Sequence, residues 1–114
     1  MGAFVISKRD NGKYKFEFTS RRGKTIFLSP SYEDKEACEK GVGVVKINAE
    51  NIGYLKFKTP SGKFFFKLVF ENEVLAISRK YTTALRVQKG IDEVVRSASV
   101  AELLDFSSDA IFLD

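Results

Sequence analysis

Gly12-Lys13-Tyr14-Lys15-Phe16-Glu17-Phe18 returns fifty residues later as Gly62-Lys63-Phe64-Phe65-Phe66-Lys67-Leu68, and this recurrence narrows the possible folds more than any other feature of the chain. After a one-residue deletion in the second copy the spacing becomes 49, so that Ser29 matches Ser78, Tyr32 matches Tyr81, Lys40-Gly41 matches Lys89-Gly90, Val45 matches Val94 and Ala49 matches Ala98. The deletion falls where Ser20-Arg21-Arg22-Gly23-Lys24 gives way to Phe70-Glu71-Asn72-Glu73, as expected of a turn. A chain of 114 residues has room for two such copies, and its length fits a single domain with one core.

Within each copy the apolar period starts at two. Phe4 and Ile6, then Tyr14, Phe16 and Phe18, then Ile26 and Leu28 fall on alternate positions, separated by Asp10-Asn11-Gly12 and Arg22-Gly23. The spacing predicts three strands linked by hairpins. The second copy repeats the design with Leu55 and Phe57, then Phe64, Phe66 and Leu68, then Leu75 and Ile77, joined by Pro60-Ser61-Gly62 and Glu71-Asn72. Phe16 and Phe66 are the expected buried equivalents.

The period then changes to about 3.6 residues. Val87, Ile91, Val94 and Ala98 share one stripe with Thr83 as cap; Cys38, Val42, Val45 and Ala49 form the matching stripe with Asp34 as cap. Each strand trio is therefore followed by an amphipathic helix. Gly41 and Gly90 sit at the same place in the two helices, where Gly costs about 1 kcal/mol relative to Ala. Close approach of each helix to its neighbour offsets that cost on this reading, and Tyr32 and Tyr81 are the aromatic bodies expected beneath.

A Gly-Lys-aromatic-Lys-Phe strand, a Ser-x-x-Tyr step and a helix with Lys-Gly in its middle, all occurring twice, resemble the YegP-like family of small tandem-repeat proteins over about residues 4 to 106. The resemblance implies a β3-α-β unit, present twice in one chain or once in each of two subunits, with a continuous sheet and exchanged closing strands. It implies no activity, because that family lacks an established biochemical function. The expected fold class is α+β: two tandem β-β-β-α(-β) repeats forming one mainly antiparallel sheet with two helices on one face. The repeats span about residues 4–49 and 54–106, followed by a C-terminal segment, 107–114. Ala101-Glu102-Leu103-Leu104-Asp105-Phe106 resembles the closing strand, whereas Ala49-Glu50-Asn51-Ile52-Gly53 runs almost directly into the second copy. Asp109-Ala110-Ile111-Phe112-Leu113-Asp114 adds an extra strand within the chain or on a neighbour, with pairing inside the chain favoured.

Composition removes most chemistry. Histidine and Trp are absent and Cys38 is the lone cysteine, which excludes His-based acid/base catalysis, Ser-His and Cys-His nucleophiles and nearly all zinc sites. Cys38 lies on the apolar stripe and is expected to be buried rather than reactive. No nucleotide, metal or haem motif is found, so no cofactor, metal or catalytic residue is assigned. A single Cys, no long apolar run and no basic-then-apolar N-terminal stretch lead to the expectation of a cytoplasmic protein away from membranes.

The formal net charge is +4, concentrated in residues 1–30 and 54–70, while residues 100–114 carry Glu102, Asp105, Asp109 and Asp114 without a base. If both helices cover one face, the other face is expected to present Lys13, Lys15, Lys56, Lys58, Lys63 and Lys67 interleaved with Phe27 and Phe65. A solvated face with lysines opposing aggregation explains this pattern, and a platform for single-stranded nucleic acid shares its physics. Arg21-Arg22-Gly23-Lys24 is a charged turn, and Lys80-Tyr81 sets a base beside a phenol without specifying a reaction. Three function classes remain: a small non-enzymatic binding or interaction module with a protein partner or as a homodimer, a weak single-stranded nucleic-acid binder, and an enzyme without histidine.

Overall fold

The computed structural model describes residues 2–107. Strands β1 (Ala3–Lys8), β2 (Tyr14–Thr19) and β3 (Thr25–Leu28) lead into helix α1 (Lys35–Asn48); β4 (Gly53–Lys58), β5 (Phe64–Phe70), β6 (Glu73–Ser78) and α2 (Ala84–Ser97) repeat that order. A 3-10 turn, Ala98–Val100, then connects to β7 (Glu102–Asp105). All seven strands form one sheet in the order β4-β5-β6-β3-β2-β1-β7. The two trios are antiparallel meanders joined through the antiparallel pair β3–β6. The strand that follows the second helix pairs in parallel with β1, at the far edge of the first trio. Thus β7 closes the unit that has no closing strand of its own, and β4 has a strand neighbour on one side only among the described residues. The expected extra strand at Asp109–Asp114 lies outside the described residues.

Both helices begin at the expected caps. The Asp34 carboxylate accepts from the Ala37 amide at 2.8 Å, and the Thr83 hydroxyl accepts from the Arg86 amide at 3.1 Å. Their apolar stripes, including Cys38, Val42 and Val45 in α1 and Val87, Ile91 and Val94 in α2, meet the same sheet face, where Phe4, Ile6, Phe16, Phe18, Phe66 and Leu68 are fully buried. Gly41 and Gly90 are the contact points. A Cβ on Gly41 would lie 2.5 Å from the Tyr32 hydroxyl oxygen, and one on Gly90 would lie 2.6 Å from that of Tyr81. Just before each tyrosine, a buried serine completes the sheet: Ser29 Oγ accepts from Phe16 N at 2.9 Å, and Ser78 Oγ accepts from Phe66 N at 2.8 Å. The repeated Ser-x-x-Tyr step is therefore a backbone device, in which a hydroxyl takes an amide that a strand neighbour would otherwise satisfy.

Two strands depart from simple alternation. In β3 a bulge against Phe18 and Thr19 sets three residues, Thr25 to Phe27, opposite two. A bulge turns consecutive side chains to one side, and Ile26 and Phe27 are both buried. Phe27, expected on the open face, is a core residue whose ring stacks on Phe18 at 5.4 Å; Leu28, expected inward, is exposed. The same bulge recurs in β6, which buries Leu75 and Ala76 and exposes Ile77.

In β4 the inward positions are the even ones. Register pairs Tyr54 with Leu68, Lys56 with Phe66 and Lys58 with Phe64, so Lys56 and Lys58 stand on the helix-covered side rather than the open one. Leu55 and Phe57 face out. The anchor is Tyr54, whose ring packs on Phe66 at 6.3 Å and whose hydroxyl donates to the Ala49 carbonyl at 2.6 Å. Once that residue is seated, period two fixes the others. At this edge long lysine stems follow the apolar surface while their ammonium groups stay wet. Lys56 hydrogen-bonds Gln88 of α2, and the Lys58 ammonium lies 5.6 Å above the Phe64 ring.

Candidate functional site

The face of the sheet opposite the helices is uncovered, and one row of cross-strand neighbours crosses it. From edge to edge the row runs Leu104, Val5, Glu17, Leu28, Ile77, Lys67, Leu55. Leu28, Ile77 and Leu55 are 37%, 44% and 47% exposed. Phe57 extends the apolar surface beside Phe65, with the two rings stacked at 5.2 Å. Only two charged residues interrupt the row. Glu17 accepts from the Thr25 hydroxyl at 2.6 Å and pairs with Lys15 at 3.5 Å, while the Lys67 ammonium lies 5.1 Å over the Phe57 ring.

Of the eight residues expected on this face, Lys15, Phe65 and Lys67 share it. Phe27 is in the core, and Lys56 and Lys58 are on the covered side. Lys13 and Lys63 immediately precede β2 and β5, where Lys13 forms an ion pair with Glu33 at 3.0 Å. The open face is accordingly more apolar and less basic than the sequence suggests, because the bulges bring Leu28 and Ile77 to it and the β4 register brings Leu55 and Phe57 in place of Lys56 and Lys58.

Sequence reasoning missed a second feature. Between the turn that joins β2 to β3 and the outer side of α2 lies a cavity of about 320 Å³ lined by Lys24, Arg79, Lys80, Arg86, Lys89 and Glu93, with Tyr81 at its base. The Arg79 guanidinium sits 5.1 Å over the Tyr81 ring. Burial pushes the Tyr81 phenol up, with Arg79 pulling against it. The cations come from three separate stretches of chain, the β2–β3 turn, the step after β6 and the first half of α2, which hides their convergence. One signal was available: the first turn of α1 carries Glu36, whereas that of α2 carries no acid and holds Arg86, the sign that a helix N-terminus disfavours.

Cys38 is fully buried, and burial, followed by Glu39 and Asp105, pushes its thiol up to about 11. It is a packing residue at neutral pH. Among the described residues no three His, Cys, Asp or Glu side chains converge to hold a metal ion, and no helix is long and apolar enough to cross a membrane.

A seven-stranded α+β sheet carrying two helices on one face, with a closing strand exchanged between two like units, defines a class of small proteins to which this molecule conforms. Residues 10–52 and 60–105 each match a domain of unknown function, DUF1508, and the chain belongs to that family. The YegP protein of Escherichia coli, a UPF0339 protein, is 34% identical over 95 residues, covering 82% of this chain and 86% of that protein. Its solution structure, described as that of a protein of unknown function, superposes with a TM-score of 0.84 at 30% identity and covers 94% of each chain. A UPF0339 protein of Methanosarcina acetivorans is 39% identical over 51 residues, which is 45% of this chain but 88% of that one. The expected YegP-like family and fold are thus found, and the last relative has the length of about one unit.

Proposed function

We propose that the chain is a non-enzymatic interaction module whose uncovered sheet face takes an extended segment of a partner protein, apolar in its middle and acidic at its ends. The observation that supports this reading is the row through Leu28, Ile77 and Leu55, continued by Phe57. Apolar side chains more than a third exposed and contiguous across several strands mark an interaction surface rather than scattered exposure. Charge chooses among partners: Lys67 is the unpaired charge within the row among the described residues, whereas Glu17 is already matched by Lys15, so an acidic segment complements the face. Asp109-Ala110-Ile111-Phe112-Leu113-Asp114 is a segment of this chemistry in the sequence itself.

The test is fluorescence anisotropy with a labelled peptide of that sequence and a second peptide with both aspartates replaced by lysine. The acidic peptide is expected to bind and the basic one to bind at least tenfold more weakly. Phe57→Ser with Ile77→Asp removes binding without lowering the melting temperature. Equal binding of both peptides, or of neither, defeats the reading.

A second reading rests on the stacked Phe57–Phe65 pair, bracketed by Lys67 over Phe57 and by Lys80 at 5.9 Å from the Phe65 ring. Aromatic faces flanked by cations suit single-stranded nucleic acid. That reading expects oligonucleotide binding that weakens steeply with salt and is lost in Lys67→Gln with Phe65→Ser.

A further inference from the structure

The two units share a backbone plan apart from the β2–β3 turn, which is longer than the β5–β6 turn, so corresponding places in them differ mainly through their side chains. The place of the cavity beside α2 has a counterpart beside α1, and the repeat supplies its composition: Lys24, Arg79, Arg86 and Lys89 correspond to Glu73, Pro30, Ala37 and Lys40. Glu73 acts on the Tyr32 phenol there, as expected if it occupies the place that Lys24 has beside Tyr81. One base, Lys40, is left beside α1 where the cavity beside α2 has four. The fold therefore does not require the positive charge.

That charge is also costly. Lys24, Arg79, Arg86 and Lys89 line one cavity of about 320 Å³ against the single carboxylate of Glu93, Lys80 at its edge turning its ammonium to the Phe65 ring, and none of the four is within ion-pair distance of an acid among the described residues. Arg86 additionally stands in the first turn of α2, where the helix dipole opposes it. Mutual repulsion of this kind is relieved by a bound anion. Two arginines offer planar forks suited to phosphate oxygens, and two lysines add point charges around them. The Ser20 hydroxyl accepts from the Arg22 and Lys24 amides at 3.3 Å, which leaves its own proton to donate at the rim.

We propose that this cavity binds a small polyphosphate group, a di- or triphosphate, whose several negative charges match four cations less one carboxylate. A single phosphate or sulfate fills only a small part of a cavity of about 320 Å³. The site is separate from the uncovered sheet face and does not depend on the function proposed for it.

Calorimetric titration of the full chain with inorganic tripolyphosphate, with sulfate at equal ionic strength as reference, tests the proposal. One-to-one binding is expected, at least tenfold tighter than sulfate. Arg86→Gln with Lys89→Gln lowers that affinity at least tenfold, while Lys40→Gln, the counterpart in the first unit, leaves it unchanged. All three residues are exposed, so each variant is expected to melt like the parent. A nucleoside triphosphate binding more tightly than tripolyphosphate assigns the ligand to nucleotides; equal affinity assigns it to the phosphate chain alone. Sulfate binding as tightly as tripolyphosphate, or Lys40→Gln costing as much as the paired variant, overturns the proposal.

Discussion

At Gly90 the backbone of α2 rests on a phenol oxygen, and nothing larger than hydrogen fits between them. Alanine there gains roughly 1 kcal/mol of helix propensity but forces apart a contact that is already closed, at a cost of about 1 to 3 kcal/mol. Gly90→Ala is therefore expected to be destabilising in urea unfolding, and adding Tyr81→Phe to restore most of the loss by removing the obstructing oxygen. Gly43 provides the opposite sign in the same kind of element. No atom lies within 4 Å of its added Cβ, so Gly43→Ala is expected to stabilise the chain by up to about 1 kcal/mol. If both substitutions shift the urea midpoint in the same direction, the tyrosine contact is not what retains glycine at position 90.

At the scale of elements, β7 is the most conditional strand. Asp105 at its end accepts from the Ser107 hydroxyl at 2.5 Å and the Ser107 amide at 2.9 Å, and pairs with Lys35 of α1 at 3.0 Å. The two Ser107 bonds, and after them Lys35, lower its carboxyl from 3.8 to about 2. A carboxyl depressed on folding adds stability above its unfolded value and loses it as pH falls through the folded one. The strand is thus expected to loosen between about pH 4 and pH 2, visible as faster amide exchange at Leu103 and Leu104. Asp105→Asn is expected to abolish that pH dependence and to have the faster exchange already at pH 7. Elements of this kind differ in how plainly the sequence states them. The helices and their caps were legible because Asp34 and Thr83 act locally, and β2 and β5 because their alternation is unbroken. The faces of β3, β4 and β6 were not. A bulge is set by pairing with another strand, and the orientation of β4 by where the Tyr54 ring lands, and neither leaves a local mark. The cationic cavity was hidden for the same reason, since its four cations converge only through tertiary structure.

For the whole molecule the parallel pairing of β7 with β1 is what joins one end of the sheet to the second helix. Phe4 and Ile6 of β1 are fully buried and belong to the common core, so an uncovered β1 edge lies directly beside that core. Cutting the chain after Val100 is expected to expose this edge, lower the melting temperature by several degrees and promote association in sedimentation. A truncated chain that melts with the parent and stays monodisperse would show that β7 adds nothing to closure.

The same pairing imposes an order in time. Ala3 meets Glu102, so β1 leaves a ribosome well before the strand it waits for. Each meander and its helix form from neighbouring residues and are free to assemble early, whereas closing so long a loop carries the largest entropy loss in the topology. Nascent chains consequently pass through a stage in which both outer strands, β1 and β4, are open, and it is at that stage that two growing copies are most exposed to pairing with each other.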